Sequence, residues 1–189
     1  MYAVFPLSIV VLPNESVALH LFEPRYRQLF QDYKDGDEFA IVYEDKNGLA
    51  EFGTLVYIDK IINEFPDETV DVIVKGSSII KLEEFVEQYP DKLYSAIEGE
   101  VIEFSMEAKT SLKEKFLTYL KTSGKRISKS QPLDLFYIAN RLELDAETKN
   151  KLISLDNNAE MNHFLVNQLN FLEKIREQES LLQQKFHLN

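Results

Sequence analysis

Residues 5–30 read FPLSIVVLPNESVALHLFEPRYRQLF, and the period of the apolar residues changes three times within them. Ala3–Leu12 is dense in valine and isoleucine and predicts a strand. Pro13-Asn14-Glu15-Ser16 has the composition of a turn, in which each residue either fixes φ or hydrogen-bonds its own backbone. Val17–Leu21 predicts a second short strand. Pro24 suits the first turn of a helix, where its missing N–H costs little. Tyr26, Leu29, Phe30 and Tyr33 then recur at helical spacing, which predicts a helix from Pro24 to Tyr33. Lys34-Asp35-Gly36-Asp37 ends it.

The rest of the first part continues as β. Phe39–Tyr43 predicts a strand, Asp45-Lys46-Asn47-Gly48 a turn, and Glu51–Ile62 a long strand with Gly53 at a bulge or close approach. Asn63–Glu68 reads as a loop. Val70, Val72 and Val74 alternate with Asp71, Ile73 and Lys75. Lys75-Gly76-Ser77-Ser78 predicts a turn into a further strand, Ile79–Glu87. Tyr89-Pro90-Asp91 breaks the pattern, and Tyr94–Phe104 predicts the last strand. About seven strands with one early helix suggest a small barrel or folded sheet.

After Phe104 the period becomes helical. Ser105 can cap a helix carrying Leu112, Phe116 and Leu120. Pro132 can start a second, with Leu135, Ile138, Ala139 and Leu142 on one face. Asp145 caps a short helix with Leu152 and Leu155. Asn158 caps a last one, whose Leu165, Leu169 and Leu172 form a stripe. The expected class is α+β, with a β-rich subdomain over 1–105 and a helical subdomain over 106–189.

Composition narrows the chemistry. The chain has 189 residues, enough for one domain or two small ones, and 44% hydrophobic residues, enough for a core. It has no cysteine, so disulfides, thiolate metal sites and cysteine nucleophiles are excluded. Residues 1–105 hold 8 Lys/Arg against 21 Asp/Glu, a balance of −13, while residues 106–189 hold 13 against 11, a balance of +2. The acidic first part repels phosphate backbones and disfavours nucleic acid as its partner. A signal peptide and a membrane span are not expected, and a cytoplasmic location is.

No catalytic motif emerges. The six glycines are scattered, and Gly124-Lys125 is followed by Arg126 rather than Ser or Thr, so a phosphate-binding loop is absent. Gly76-Ser77 lacks the second glycine of a nucleophile elbow. His20, His163 and His187 stand far apart and form no metal-binding pair. The one basic run, Lys121–Lys129, reads as a solvated loop. The expected catalytic, cofactor and metal residues are therefore none.

The opening stretch resembles the N-terminal, substrate-binding domain of the ATP-dependent Lon proteases. The residues that carry the likeness are Phe5-Pro6-Leu7, Val11-Leu12-Pro13 and Leu21-Phe22-Glu23-Pro24-Arg25-Tyr26. Gly53-Thr54-Leu55, Val72–Gly76 and the segment from Ile138 to Asp156 agree more weakly. The likeness extends to standalone bacterial proteins of that family. It implies a PUA-like pseudo-barrel of about six strands, a bundle of about four helices, and recognition of unfolded or damaged protein segments, or an adaptor role, without the ATPase and Ser–Lys peptidase modules. Within the motif, Phe5, Leu7, Leu12, Leu19 and Leu21 are expected in core strands. Phe22 and Tyr26 are expected to pin the helix, and Glu23 to sit at the helix's positive end with Arg25 beside it. Phe65, Tyr89 and Tyr94, aromatic residues in or next to loops, are the expected peptide contacts. An RNA-binding PUA-like module and a structural subunit of a larger complex remain alternatives, and the oligomeric state stays open.

Overall fold

The structure is a computed structural model that describes residues 1–103, 105–124 and 132–186. The Lys121–Lys129 basic run falls largely outside these described residues. The chain forms two compact units.

The first unit, Met1–Phe104 with Leu144–Ser154, is built on a six-stranded sheet. The strands are β1 (Tyr2–Leu7), β2 (Ser16–Leu21), β3 (Phe39–Asp45), β4 (Gly48–Glu64), β5 (Val70–Val86) and β6 (Ala96–Ile102). Their order is β2-β5-β4-β3-β1-β6, and β5 also pairs with β6. That extra pairing closes β1, β3, β4, β5 and β6 into a ring and leaves β2 attached to β5. Closure leaves the ring strands without the free edges of an open sheet, while β2, paired only with β5, keeps one open side.

β1 and β3 run parallel, Val4 opposite Ala40 and Leu7 opposite Tyr43. A parallel pair needs a crossover, and β2 with helix α1 (Pro24–Tyr33) supplies it. The helix spans the residues that its apolar spacing predicts, with Pro24 at its first turn. The strands alternate their side chains between two clusters. Val4, Ala40, Val42, Leu55, Ile80 and Ile97, drawn from all five ring strands, form one. Ala3, Phe5, Phe39, Ile41 and Val56 face the other way and pack with Tyr26, Leu29 and Phe30 of α1.

Two strand predictions are corrected. β1 stops at Leu7, although Val10, Val11 and Leu12 are buried. That segment leaves the sheet, and its polar groups are satisfied from elsewhere. The Thr54 hydroxyl donates to Val11 O at 2.6 Å. The Leu12 N–H donates to the Glu15 carboxylate at 2.8 Å. Lys75–Ser78 is also not a turn, because β5 runs unbroken through it. Gly76 is there for space. A Cβ on it would lie 2.2 Å from the Leu12 carbonyl oxygen, so only glycine lets the 9–15 segment cross the strand. The crossing is stitched by Asn14 N–H to Gly76 O and Gly76 N–H to Glu15 O, both 2.9 Å.

Of the four helices that follow the sheet among the described residues, α4 (Ala146–Ile153) groups with the first unit. Asp145 caps it, accepting from Thr148 N–H at 2.8 Å. Lys149 Nζ reaches Glu15 Oε1 at 2.5 Å, and Leu152 and Ile153 are buried.

The second unit, Ser105–Glu143 with Leu155–Asn189, contains α2 (Thr110–Thr122), α3 (Leu135–Ala139) and α5 (Asn158–Phe186). Leu112, Phe116, Tyr119 and Leu120 of α2 and Met161, Leu165 and Leu169 of α5 are buried. Two caps differ from expectation. Asn157, not Asn158, caps α5, accepting from Glu160 N–H at 3.0 Å while its amide donates back to the Glu160 carboxylate at 2.9 Å. The first bond satisfies a backbone donor at the helix start, and the second holds the two side chains together. Ser105 caps nothing, because α2 begins five residues later and Lys109 precedes it. The Lys109 N–H is instead met by the buried Asn162 side chain at 2.7 Å.

Candidate functional site

The opening motif builds a cleft of about 500 Å³ on the first unit. Phe5, Pro6 and Leu7 of β1, Leu19 of β2 and Tyr26 of α1 contribute apolar surface to it. Phe5 and Tyr26 stack with ring centroids 3.7 Å apart and an interplanar angle of 26°. Burial raises the Tyr26 pKa above its usual value, against the opposing pull of Arg25, so the phenol stays neutral. Arg25 is already engaged. Its Nε donates to the Glu23 carboxylate at 2.9 Å, and its guanidinium lies 4.5 Å from the Tyr26 centroid.

Around these sit three apolar side chains that remain in solvent: Phe22 at 62% exposed, Phe85 at 44% and Leu93 at 65%. Exposed large apolar groups gathered round a concavity mark an interaction surface rather than a core. The placement of Phe22 corrects the expectation that it pins α1, because it is the most exposed phenylalanine of the motif and only Tyr26 turns inward. The motif therefore divides. Phe5, Leu12, Pro13 and Tyr26 are buried, whereas Phe22, Pro24 and Arg25 are exposed.

A strand-adding peptide would meet an obstacle on β1. Val4 N–H donates to Ser95 O at 2.9 Å, so the next nitrogen on that side belongs to Pro6, which has no hydrogen. Proline blunts a strand edge in this way, and the cleft presents side chains instead.

Helix α1 holds both flanking loops. Arg27 donates to the Asp67 carbonyl and to the Glu68 carboxylate, each at 2.9 Å, tying down the β4–β5 tip. Gln28 accepts from Leu93 N–H at 2.7 Å. Asp32 accepts from Lys92 Nζ and from the Tyr94 hydroxyl, each at 2.8 Å, so the β5–β6 loop is pinned with Leu93 facing outward. Burial opposes ionisation of Asp32, but the hydrogen bonds from Lys92 and Tyr94 outweigh it and hold its pKa below 3.8. Burial, with the Asp32 carboxylate alongside, pushes the Tyr94 pKa far above its usual value, which keeps the hydroxyl protonated as the donor.

A testable consequence concerns acid. A carboxylate with a depressed folded-state pKa contributes stability above its unfolded pKa and loses it as pH falls through the folded value. The Asp32 latch is therefore intact above its ordinary value of 3.8 and fades only below it. Asp32→Ala should cost about 1 kcal/mol at neutral pH and abolish this acid dependence of the loop, read from the Leu93 amide resonance between pH 7 and pH 2. The same acid-induced shift of the Leu93 signal in the variant as in the parent would refute the latch.

The three expected peptide contacts separate. Tyr94 is 2% exposed and belongs to the core; its position next to a loop concealed the Asp32 partner that draws it in. Tyr89 is half-buried and stacks on Tyr94 at 6.0 Å. Phe65, at 37% exposed, lies edge-on to His20 at 6.2 Å, and His20 stacks on Phe22 at 6.0 Å. Phe65 thus extends the exposed aromatic row that begins at Phe22. Phe85 and Leu93 were not anticipated from sequence. The available signal was a leucine among Asp91, Lys92 and Ser95 in a polar loop. His20 binds Asp71 at 2.7 Å, and no group of metal-binding side chains occurs among the described residues. No helix among the described residues is long and apolar enough to cross a membrane.

The fold is shared with solved structures. A Lon N-terminal domain protein from Xanthomonas campestris superimposes with a TM-score of 0.66 at 19% identity, covering 92% of this chain and 96% of that one. The N-terminal domain of the Mycobacterium avium complex Lon protease gives 0.64 at 12% identity, covering 89% and 97%. The sequence matches no curated protein. Its residues 1–183 match the profile of the ATP-dependent protease La (LON) substrate-binding domain. With the motif, the sheet and the match running over nearly the whole length, the chain belongs to the LON substrate-binding domain family.

Proposed function

We propose that the protein is a non-catalytic binding module that captures exposed apolar segments of unfolded or damaged proteins in the cleft between β1, β2 and α1. The observation that carries this is the ring of Phe22, Phe85 and Leu93 left in solvent around a concavity built from the family motif. A folded protein gains nothing from exposing three large apolar side chains together, and a groove of such groups with a polar surround is the common form of a ligand site. In this proposal the first subdomain, residues 1–105, is a PUA-like pseudo-barrel. Residues 106–189 are the helical subdomain, from which α4 joins the sheet unit, and the protein works in the cytoplasm, either on its own clients or as an adaptor. The RNA-binding alternative would set phosphates against the acidic first part of the chain.

The test compares binding of a reduced, unfolded polypeptide with binding of its folded form by fluorescence anisotropy at moderate salt. Preference for the unfolded form is expected. Phe22→Ala combined with Leu93→Ala should weaken that binding roughly tenfold, since central apolar anchors carry most of an interface's energy. The melting temperature should hardly move, because both side chains are exposed. Equal binding to the two forms, or full binding by the double variant, would overturn the proposal.

A further inference from the structure

The charges of the same cleft say more about what it takes. Three carboxylates line it, on Glu23, Glu44 and Glu87, with Arg25 as the cation. Arg25 is neutralised by Glu23 at 2.9 Å and lies over the Tyr26 ring. Glu44 and Glu87 make no side-chain hydrogen bond or ion pair among the described residues. The cleft therefore offers two uncompensated negative charges beside its apolar rim, within a chain segment whose balance is −13. Exposed Phe22 adds a second attraction for cations, because the face of an aromatic ring carries negative charge. Low-dielectric walls concentrate the field of charges that line a concavity.

We infer that the cleft discriminates among exposed apolar segments, taking those in which a lysine or arginine neighbours the apolar side chain and rejecting those with acidic neighbours. This rests on the binding role proposed above. The apolar rim supplies the contact, and Glu44 and Glu87 select by charge. Rejection is part of the selection, since an acidic residue seated there would face two carboxylates without a free cation.

The experiment uses three short, unstructured Gly/Ser peptides, each carrying a Phe-Leu pair and a fluorescein label. One is otherwise neutral, one has lysines beside the pair, and one has glutamates there. Binding to the full chain is measured by anisotropy across a salt series. The lysine peptide should bind roughly tenfold tighter than the glutamate peptide, two exposed charge pairs being worth about that ratio, and its advantage should shrink as salt rises. Glu44→Gln with Glu87→Gln should remove most of the difference. Asp59→Asn with Glu103→Gln, the same charge change outside the cleft, should leave most of it. Glu44→Lys with Glu87→Lys should reverse the order of the peptides. If the three peptides bind equally, the charge selection is wrong while the apolar cleft stands. If none binds, the proposed function fails with it. If the control pair removes as much preference as the cleft pair, the attraction comes from the general acidity of the segment, and selection by the cleft is overturned.

Discussion

Gly76→Ala is expected to destabilise the protein by about 3 kcal/mol, the upper end of what forcing an extra methyl into a packed site costs. Gly76 lies within β5, and its φ is not positive, so alanine has no conformational objection to the position. The objection is spatial. The new methyl would fall 2.2 Å from the Leu12 carbonyl oxygen, 2.9 Å from its carbonyl carbon and 3.3 Å from Pro13 Cα. All three are backbone atoms, so no side chain can rotate away. Relief requires the 9–15 segment to lift, which stretches the two 2.9 Å hydrogen bonds joining it to Gly76. The urea midpoint should fall with its slope unchanged, as for a loss of stability without a change in the surface exposed. A variant within about 0.5 kcal/mol of the parent, the range of an ordinary surface substitution, would show that the crossing is looser than the distances imply.

Glu15→Ala should cost about 2–3 kcal/mol, because Glu15 serves two partners at once. One oxygen accepts the Leu12 N–H at 2.8 Å and the other meets Lys149 Nζ at 2.5 Å. Truncation leaves a buried backbone donor unsatisfied and strands a largely covered ammonium, and each is a desolvation cost without return. Lys149→Met is the informative contrast. It removes the charge and keeps the stem; the largely covered Glu15 carboxylate loses its cation but stays bonded to Leu12 N–H, so the change should cost about 1–2 kcal/mol, less than Glu15→Ala. Chemical denaturation of both variants measures the asymmetry. Equal losses would mean that the ion pair, and not the Leu12 bond, is what Glu15 contributes.

The residues most legible in the sequence were those whose structure is settled by near neighbours. Helix α1 has its proline start and its apolar spacing within ten residues, and both ends fell where expected. Asp145 was recognisable as a cap for the same reason. Lys75–Ser78 was misread because Gly-Ser-Ser has turn composition, while the reason for the glycine is a carbonyl 64 residues earlier in the chain. Val10–Leu12 was read as strand because burial, not pairing, fixes its apolar composition. The cleft suffers most from this limit. Its wall joins β1, β2, α1, β3, β5 and the β5–β6 connection, and no local pattern reports which of those side chains will meet. Phe22 and Tyr26, four residues apart, were expected to act alike, yet Tyr26 faces Phe5 and Phe22 faces water.

The assignment of Leu144–Ser154 to the sheet unit has a consequence for synthesis. Translation is vectorial, so the six strands leave the ribosome well before helix α4 does. At roughly 5–20 residues per second, the chain between Phe104 and Ser154 takes about 3–10 s to make. For that interval the nascent sheet lacks Lys149, and Glu15 has one partner where the finished protein gives it two. The surface that α4 will cover stays open to chaperones and proteases meanwhile. A ribosome stalled before Leu144 would therefore hold a sheet unit that is closed in its strands yet incomplete, and release of arrest peptides placed on either side of Ser154 would time its completion.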